Sequence, residues 1–226
     1  YRYQWYRADD ANGTNATLIS GATSASYTLT TSDAHKYLRL AVIADDGNSN
    51  TTTAYSAYTA ITNSVPVNSV IPSVSGTATV GNALSTTNGT WTDADGDGRS
   101  YSYQWYRADD TNGTNAALIT GATSSSYTLT TSDAHKYLRV VVTANDGRGG
   151  TQSAVSIYTA IINSAPVNSA VPSVSGTATV GNALSTTNGT WTDADGDGRS
   201  YSYQWYRASD TNGSGLTAIS GATSSS

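Results

Sequence analysis

Apolar and polar residues alternate with a period of two along most of this chain, and no stretch repeats at the spacing of a helix. Between residues 65 and 164 the pattern predicts a succession of short strands. From Ser73 to Val80 the positions Val74, Gly76, Ala78 and Val80 alternate with Ser73, Ser75, Thr77 and Thr79, which predicts a half-buried strand. Gly81-Asn82 supplies a turn, and Ala83 to Trp91 is the next strand. The run Asp93-Ala94-Asp95-Gly96-Asp97-Gly98 breaks the alternation and reads as a loop. From Tyr101 to Ala108 alternation returns, with Tyr101, Tyr103 and Trp105 on one face and Ser102, Gln104 and Tyr106 on the other.

A polar loop from Asp109 to Asn115, a short strand from Ala117 to Thr120 and a turn region from Gly121 to Ser126 follow. Tyr127 and Leu129 share a face of the next strand, which Thr131-Ser132-Asp133 ends. Tyr137 to Ala144 is the most apolar strand, with Leu138, Val140 and Val142 on one side. Asn145-Asp146-Gly147 tolerates the positive φ of a tight hairpin turn, and the last strand runs from Gln152 to Ile162. Short β-branched and aromatic runs divided by turn residues predict an all-β fold, an antiparallel β-sandwich.

The pattern is copied. Tyr103-Gln104-Trp105-Tyr106-Arg107-Ala108 also stands at Tyr3 and at Tyr203, an offset of about 100 residues each time. Residues 1–64 therefore match the later part of a repeat, 65–164 make a whole one, and 165–226 match the earlier part of a third. Pro66 and Pro72 flank a polar segment, so Ser64 to Pro72 is expected to be a stiff linker. Near-identical copies suit a spacer, stalk or fibre, in which length grows with copy number, better than they suit an enzyme. Such copies also invite exchange of strands between chains, so other copies of this chain join the neighbouring repeats as expected partners.

Composition narrows the functional classes. Phe, Met and Cys are absent, so the core must be built from Trp, Tyr and aliphatic residues, and no disulfide staples it. With 11 basic and 16 acidic residues the net charge is −5, and no basic cluster offers a nucleic acid its phosphate contacts. No apolar run reaches the roughly 20 residues of a membrane span.

Trp105 followed by Tyr106-Arg107 resembles the core-tryptophan strand of immunoglobulin-like domains. The runs Ser73-Val74-Ser75-Gly76-Thr77-Ala78-Thr79-Val80-Gly81, Gly121-Ala122-Thr123-Ser124 and Tyr127-Thr128-Leu129-Thr130 extend that likeness to the Ig-like tandem repeats of large bacterial surface proteins and adhesins. Asp95-Gly96-Asp97 and Asn145-Asp146-Gly147 are similar to bacterial cadherin-like repeats. Both core cysteines of antibody domains are missing, and Arg139 stands where the second would be expected after Asp133 and Tyr137. The resemblance implies tandem Ig-like sandwiches in a secreted or surface-anchored bacterial protein, an extracellular stalk or fibre. Alternatives are an array of carbohydrate-binding modules or the accessory region of a secreted enzyme.

In that topology the loops holding Asp93, Asp95 and Asp97 and holding Asn145 and Asp146 share the end at which the chain enters. The same loop recurs at Asp193, Asp195 and Asp197. Three carboxylates within five residues repel unless a cation joins them. Calcium at the junction is the expected cofactor, with Asn63 or Asn163 as linker ligands; the alternative is a solvated Asp/Gly turn. Gln104 stands where an EF-hand would need its bidentate Glu, so the loop is not an EF-hand. Tyr6, Tyr106 and Tyr206 face away from the expected core and are candidates for stacking on sugar or on a neighbouring chain. Asp109-Asp110-Thr111-Asn112-Gly113 is a further polar loop. His35 and His135 lie at strand corners without a nucleophile beside them, and no catalytic constellation is present.

Overall fold

The computed structural model describes residues 1–226, and its regular elements are β-strands and two short 3₁₀ turns. In the whole repeat, the strands Ala117–Leu118, Ser100–Ala108, Tyr137–Asn145 and Thr151–Val155 lie side by side in that order, all antiparallel, and Thr159–Ala160 also pairs with the start of Tyr137–Asn145. A second sheet places Ala83–Thr86 between Ser126–Thr128 and Val74–Gly76. The period-two pattern fixes which side chains point inward. Trp105 sits opposite Val140 and Tyr103 opposite Val142, so one register sends the aromatic and aliphatic rows to the same face.

That face is the core. Leu84 and the flanking Val74 and Tyr127 come from the smaller sheet; Trp105, Leu138, Val140 and Val142 come from the larger. The core therefore lies between two sheets, and Trp105, Leu138, Val140 and Val142 have no solvent exposure. A satellite cluster of Trp91, Ala144 and Ala154, packed by Tyr101, fills the end nearer the acidic loop. The five-strand arrangement recurs in residues 1–64, where Arg2–Ala8 pairs with Thr17–Leu18 and with Tyr37–Asp45. The early strand pairs recur as Val167–Ala170 with Thr190–Thr192 and Val174–Gly176 with Leu184–Thr186.

Several expected boundaries differ. Val67–Val70 is a strand rather than linker; it pairs with Thr90–Thr92 through a bulge between Asn68 and Val70. The Asn68 amide bridges that bulge by donating to the carbonyls of Val70 and Thr90, at 2.8 and 3.1 Å. The expected strand Ala83 to Trp91 is two strands in two sheets. Gly89 makes the change of sheet: its φ is +78°, and a Cβ there would lie 2.3 Å from the Val70 carbonyl, a conformation and an approach that favour glycine. The strand expected from Ser73 to Val80 shortens to Val74–Gly76, ending where Gly76 takes φ +123°. The last strand is broken at Ser156, whose hydroxyl accepts the Val140 N–H at 3.0 Å and donates to the Ile157 carbonyl.

Thr131–Asp133 is a 3₁₀ turn. The Asp133 carboxylate accepts the Thr130 N–H, the Thr130 hydroxyl and the Tyr127 hydroxyl, at 2.8, 2.9 and 2.9 Å. Arg107 forms an ion pair with it at 2.8 Å. Asp33 repeats this arrangement with Thr30, Tyr27 and Arg7. Both carboxylates are fully buried.

Candidate junction site

The loop after Thr90–Thr92 is shaped by its own first carboxylate. Asp93 Oδ1 accepts the Asp95 N–H at 2.9 Å, its carbonyl accepts the Gly96 N–H at 3.2 Å, and Gly96 takes φ +80°. This turn aims Asp95 and Asp97 back toward residues 1–64. Asp95 accepts both the backbone N–H and the hydroxyl of Ser64. Asp97 meets His35, whose Nε2 lies 3.0 Å from either carboxylate oxygen, and the Arg148 guanidinium stands 3.8 Å from Asp97. Asp146, from the hairpin loop at the same end, accepts the Asn63 side-chain N–H at 2.7 Å.

Burial pushes the Asp146 carboxyl upward, but the Asn63 amide and the N–H groups of Arg148 and Gly150 outweigh it and hold the group below the ordinary carboxylate value. The structure thus brings Asp93, Asp95, Asp97 and Asp146 to one junction with Asn63, Ser64 and His35. Asn145 plays a different part: it is exposed, and its side-chain oxygen accepts the Gly147 N–H at 2.7 Å within its own turn.

The next copy repeats the arrangement. Asp195 is buried and accepts the Ser164 N–H and hydroxyl. Asp197 meets His135 Nε2 at 2.9 Å, and one oxygen from each of Asp193, Asp195 and Asp197 lies within 4.8 Å of the others. The hydrogen bond to Asp197, then its charge, lift His135 above the ordinary histidine value; Asp195 and Asp193 add to this, and burial opposes it. Asn163 donates to the Ser164 carbonyl at 3.1 Å.

Two groups of side chains could hold a metal ion. His35, Asp95 and Asp97 form one group of converging ligand atoms, and the three aspartates at 193, 195 and 197 form another. At the first junction Asn63 Oδ1 and Asp93 Oδ2 are buried and accept no hydrogen bond. Buried oxygens without a donor are what a calcium ion takes as ligands.

Other candidate residues have local partners. Asp109 is held by Lys136 and Asn115, and Asp110 by Asn112 and Thr114. Tyr106 is half-buried, with the Arg139 guanidinium 5.9 Å from its ring centre and 4.7 Å from that of Tyr158. Tyr6 lies against Arg39, which also covers Tyr55 and Tyr58, at 4.4 and 4.7 Å. These are cation–π stacks on the outer face of the larger sheet; Tyr206 has no such partner and is 56% exposed. Arg139, expected on the cysteine position, points outward between the inward residues Leu138 and Val140.

Sequence reasoning missed His35 and His135 as junction residues. Each partner lies 62 residues ahead, in the following repeat, and no local pattern signals a contact at that distance. The fold and junction define an all-β repeat protein with an acidic seam between copies. Comparison with family models, curated proteins and solved structures returned no match.

Proposed function

We propose that this chain is part of a non-enzymatic extracellular array: the stalk of a bacterial surface adhesin, or the subunit of an extracellular fibre, built from Ig-like sandwiches and stiffened by calcium at the junctions. The observation that carries this reading is the capture of the Asn63-Ser64 linker by Asp146 and Asp95 of the following repeat. A chain tied at each link this way resists bending, and its length scales with the number of copies. Asp95 and Asp97 would hold the ion, with Asp93, Asn63 and Asp146 beside them; the ion would join carboxylates that otherwise repel. The stacks that occupy Tyr6 and Tyr106 favour this over a sugar-binding platform.

The test is a calcium titration of the chain by calorimetry, with thermal unfolding and small-angle scattering in calcium and in chelator. Affinity is expected on the order of 10⁻⁴ to 10⁻³ M, as in extracellular modules. At a hundredfold excess over Kd, binding adds about 2.7 kcal/mol and raises the Tm of a repeat of this size by roughly 10–20 °C. The particle should lengthen, and Asp97→Ala combined with Asp197→Ala should abolish both responses. Identical melting and scattering curves with and without chelator would remove calcium from the account and leave stiffness to the linker contacts.

A further inference from the structure

The two hairpin loops at the leading ends of the first and central repeats share one framework and differ in what completes it. In the central repeat Asp146 Oδ1 accepts the N–H groups of Arg148 and Gly150, at 2.7 and 2.9 Å. In the first repeat Asp46 Oδ1 accepts those of Asn48 and Asn50, at 2.7 and 3.2 Å. The closing backbone bonds match as well: the Asp146 N–H donates to the Gly150 carbonyl at 3.1 Å, and the Asp46 N–H to the Asn50 carbonyl at 3.2 Å.

The other carboxylate oxygen is where they part. Asp46 Oδ2 accepts the side-chain amide of Asn50 at 2.9 Å, inside its own loop. Asp146 Oδ2 accepts the amide of Asn63, from the linker that precedes the repeat, at 2.7 Å. Position 150 is glycine, and a Cβ built there would lie 2.1 Å from Asp146 Oδ2 and 3.0 Å from Asn63 Nδ2. Gly150 and Asp146 are both buried, so a side chain has no free direction in which to turn away. The missing side chain is therefore the space through which the linker reaches the loop.

We infer that residue 150 decides whether the leading end of a repeat is open to the linker before it: glycine leaves the outer oxygen of Asp146 to Asn63, and asparagine, as at position 50, closes the loop on itself. The surface is an interaction site whose partner is the Asn63-Ser64 segment of this same chain. Arg148 belongs to the open form, since it reaches Asp97 from this loop, whereas its counterpart in the first repeat is Asn48. An array carrying both loop types would have links tied through both Asn63 and Ser64 at the glycine repeats and looser links, held without the Asn63 contact, at the asparagine repeats. The looser links could then be read from one residue per copy. The inference needs neither calcium nor an adhesive role.

The test uses the full 226-residue chain in chelator, comparing the parent protein with Gly150→Asn, Asn63→Ala and the double variant. The readouts are ¹⁵N relaxation, giving separate rotational correlation times for residues 1–64 and 65–164, and amide exchange at Ser64. In the parent protein the two parts should tumble together. Gly150→Asn should separate their correlation times and lower Ser64 protection about tenfold. Asn63→Ala should do the same, and the double variant should add nothing further, because both changes remove one contact. The position-50 loop already accommodates asparagine, and unchanged chemical shifts in the Ser100–Ala108 and Tyr137–Asn145 strands would show that the repeat stays folded. Unchanged tumbling and Ser64 exchange in Asn63→Ala overturns the proposal, even if Gly150→Asn does not fold. So does a Gly150→Asn protein that tumbles as the parent does, or a double variant in which the two effects add.

Discussion

Trp105→Ala is expected to destabilise the central repeat by about 3–5 kcal/mol, the range for deleting a buried Trp side chain. Trp105 has no exposed surface and is joined in one cluster by Leu84 from one sheet and Val140 from the other. Its ring lies 6.1 Å from that of Tyr127, and its indole N–H donates to the Ser124 carbonyl at 2.9 Å. Alanine would leave a cavity that rigid sheets on both sides cannot close, and would strand that carbonyl acceptor. A domain of this size has only about 5–15 kcal/mol in total, so the loss is roughly a fifth or more of it. In thermal unfolding followed by circular dichroism, the central repeat's transition should fall by roughly 15–30 °C. A change below about 1 kcal/mol would mean that the two sheets do not depend on one another through this residue.

The second large effect is Asp133→Ala, expected to cost about 3–5 kcal/mol because it leaves the mostly buried Arg107 guanidinium without its counter-ion. It also strips the Thr130 N–H of its acceptor. Lys136→Ala is the control. Its ammonium lies 2.6 Å from Asp109, closer than Arg107 lies to Asp133, yet both partners are about 40% exposed. Solvent screening should hold that loss to about 1 kcal/mol or less. Urea unfolding of the two variants compares burial with proximity, and equal losses would contradict the assignment of Asp133 as a structural anchor.

The equivalent Asp33 adds a pH dependence. Burial pushes its carboxyl upward, but the Thr30 backbone and hydroxyl, Tyr27 and Arg7 outweigh it, so the folded value is depressed. A depressed carboxylate stabilises fully above its unfolded pKa, about 3.9, and that contribution is lost as pH falls through the folded value. Tm of the first repeat should therefore drop more steeply below about pH 4 in the parent chain than in Asp33→Asn. Parallel curves would show that the carboxylate carries no folded-state preference.

The strands richest in alternation were legible from the chain alone. Ser100–Ala108 and Tyr137–Asn145 appear within a residue of their expected limits, because a period of two with large inward residues has only one register that buries them. Val67–Val70 was not legible. Two flanking prolines and polar side chains suggest a linker, and only the partner strand Thr90–Thr92 and the Asn68 amide make it a strand. The acidic residues of the junction were visible as a pattern, since Asp at alternate positions with Gly is a local signal. His35 and Gly150 were not, since each acquires its role from a residue more than 60 positions away or from another loop.

By itself the sequence determined the all-β class, the inward rows and the copying of one repeat, because backbone period and turn chemistry are local properties carried by neighbouring residues. Tertiary structure decided which strands share a sheet, that Asp133 is buried with Arg107, and that Asn63 and Ser64 end on the carboxylates of the next repeat. Those outcomes depend on which distant surfaces meet, and a carboxylate has the same local signature whether it faces water, a guanidinium or another repeat.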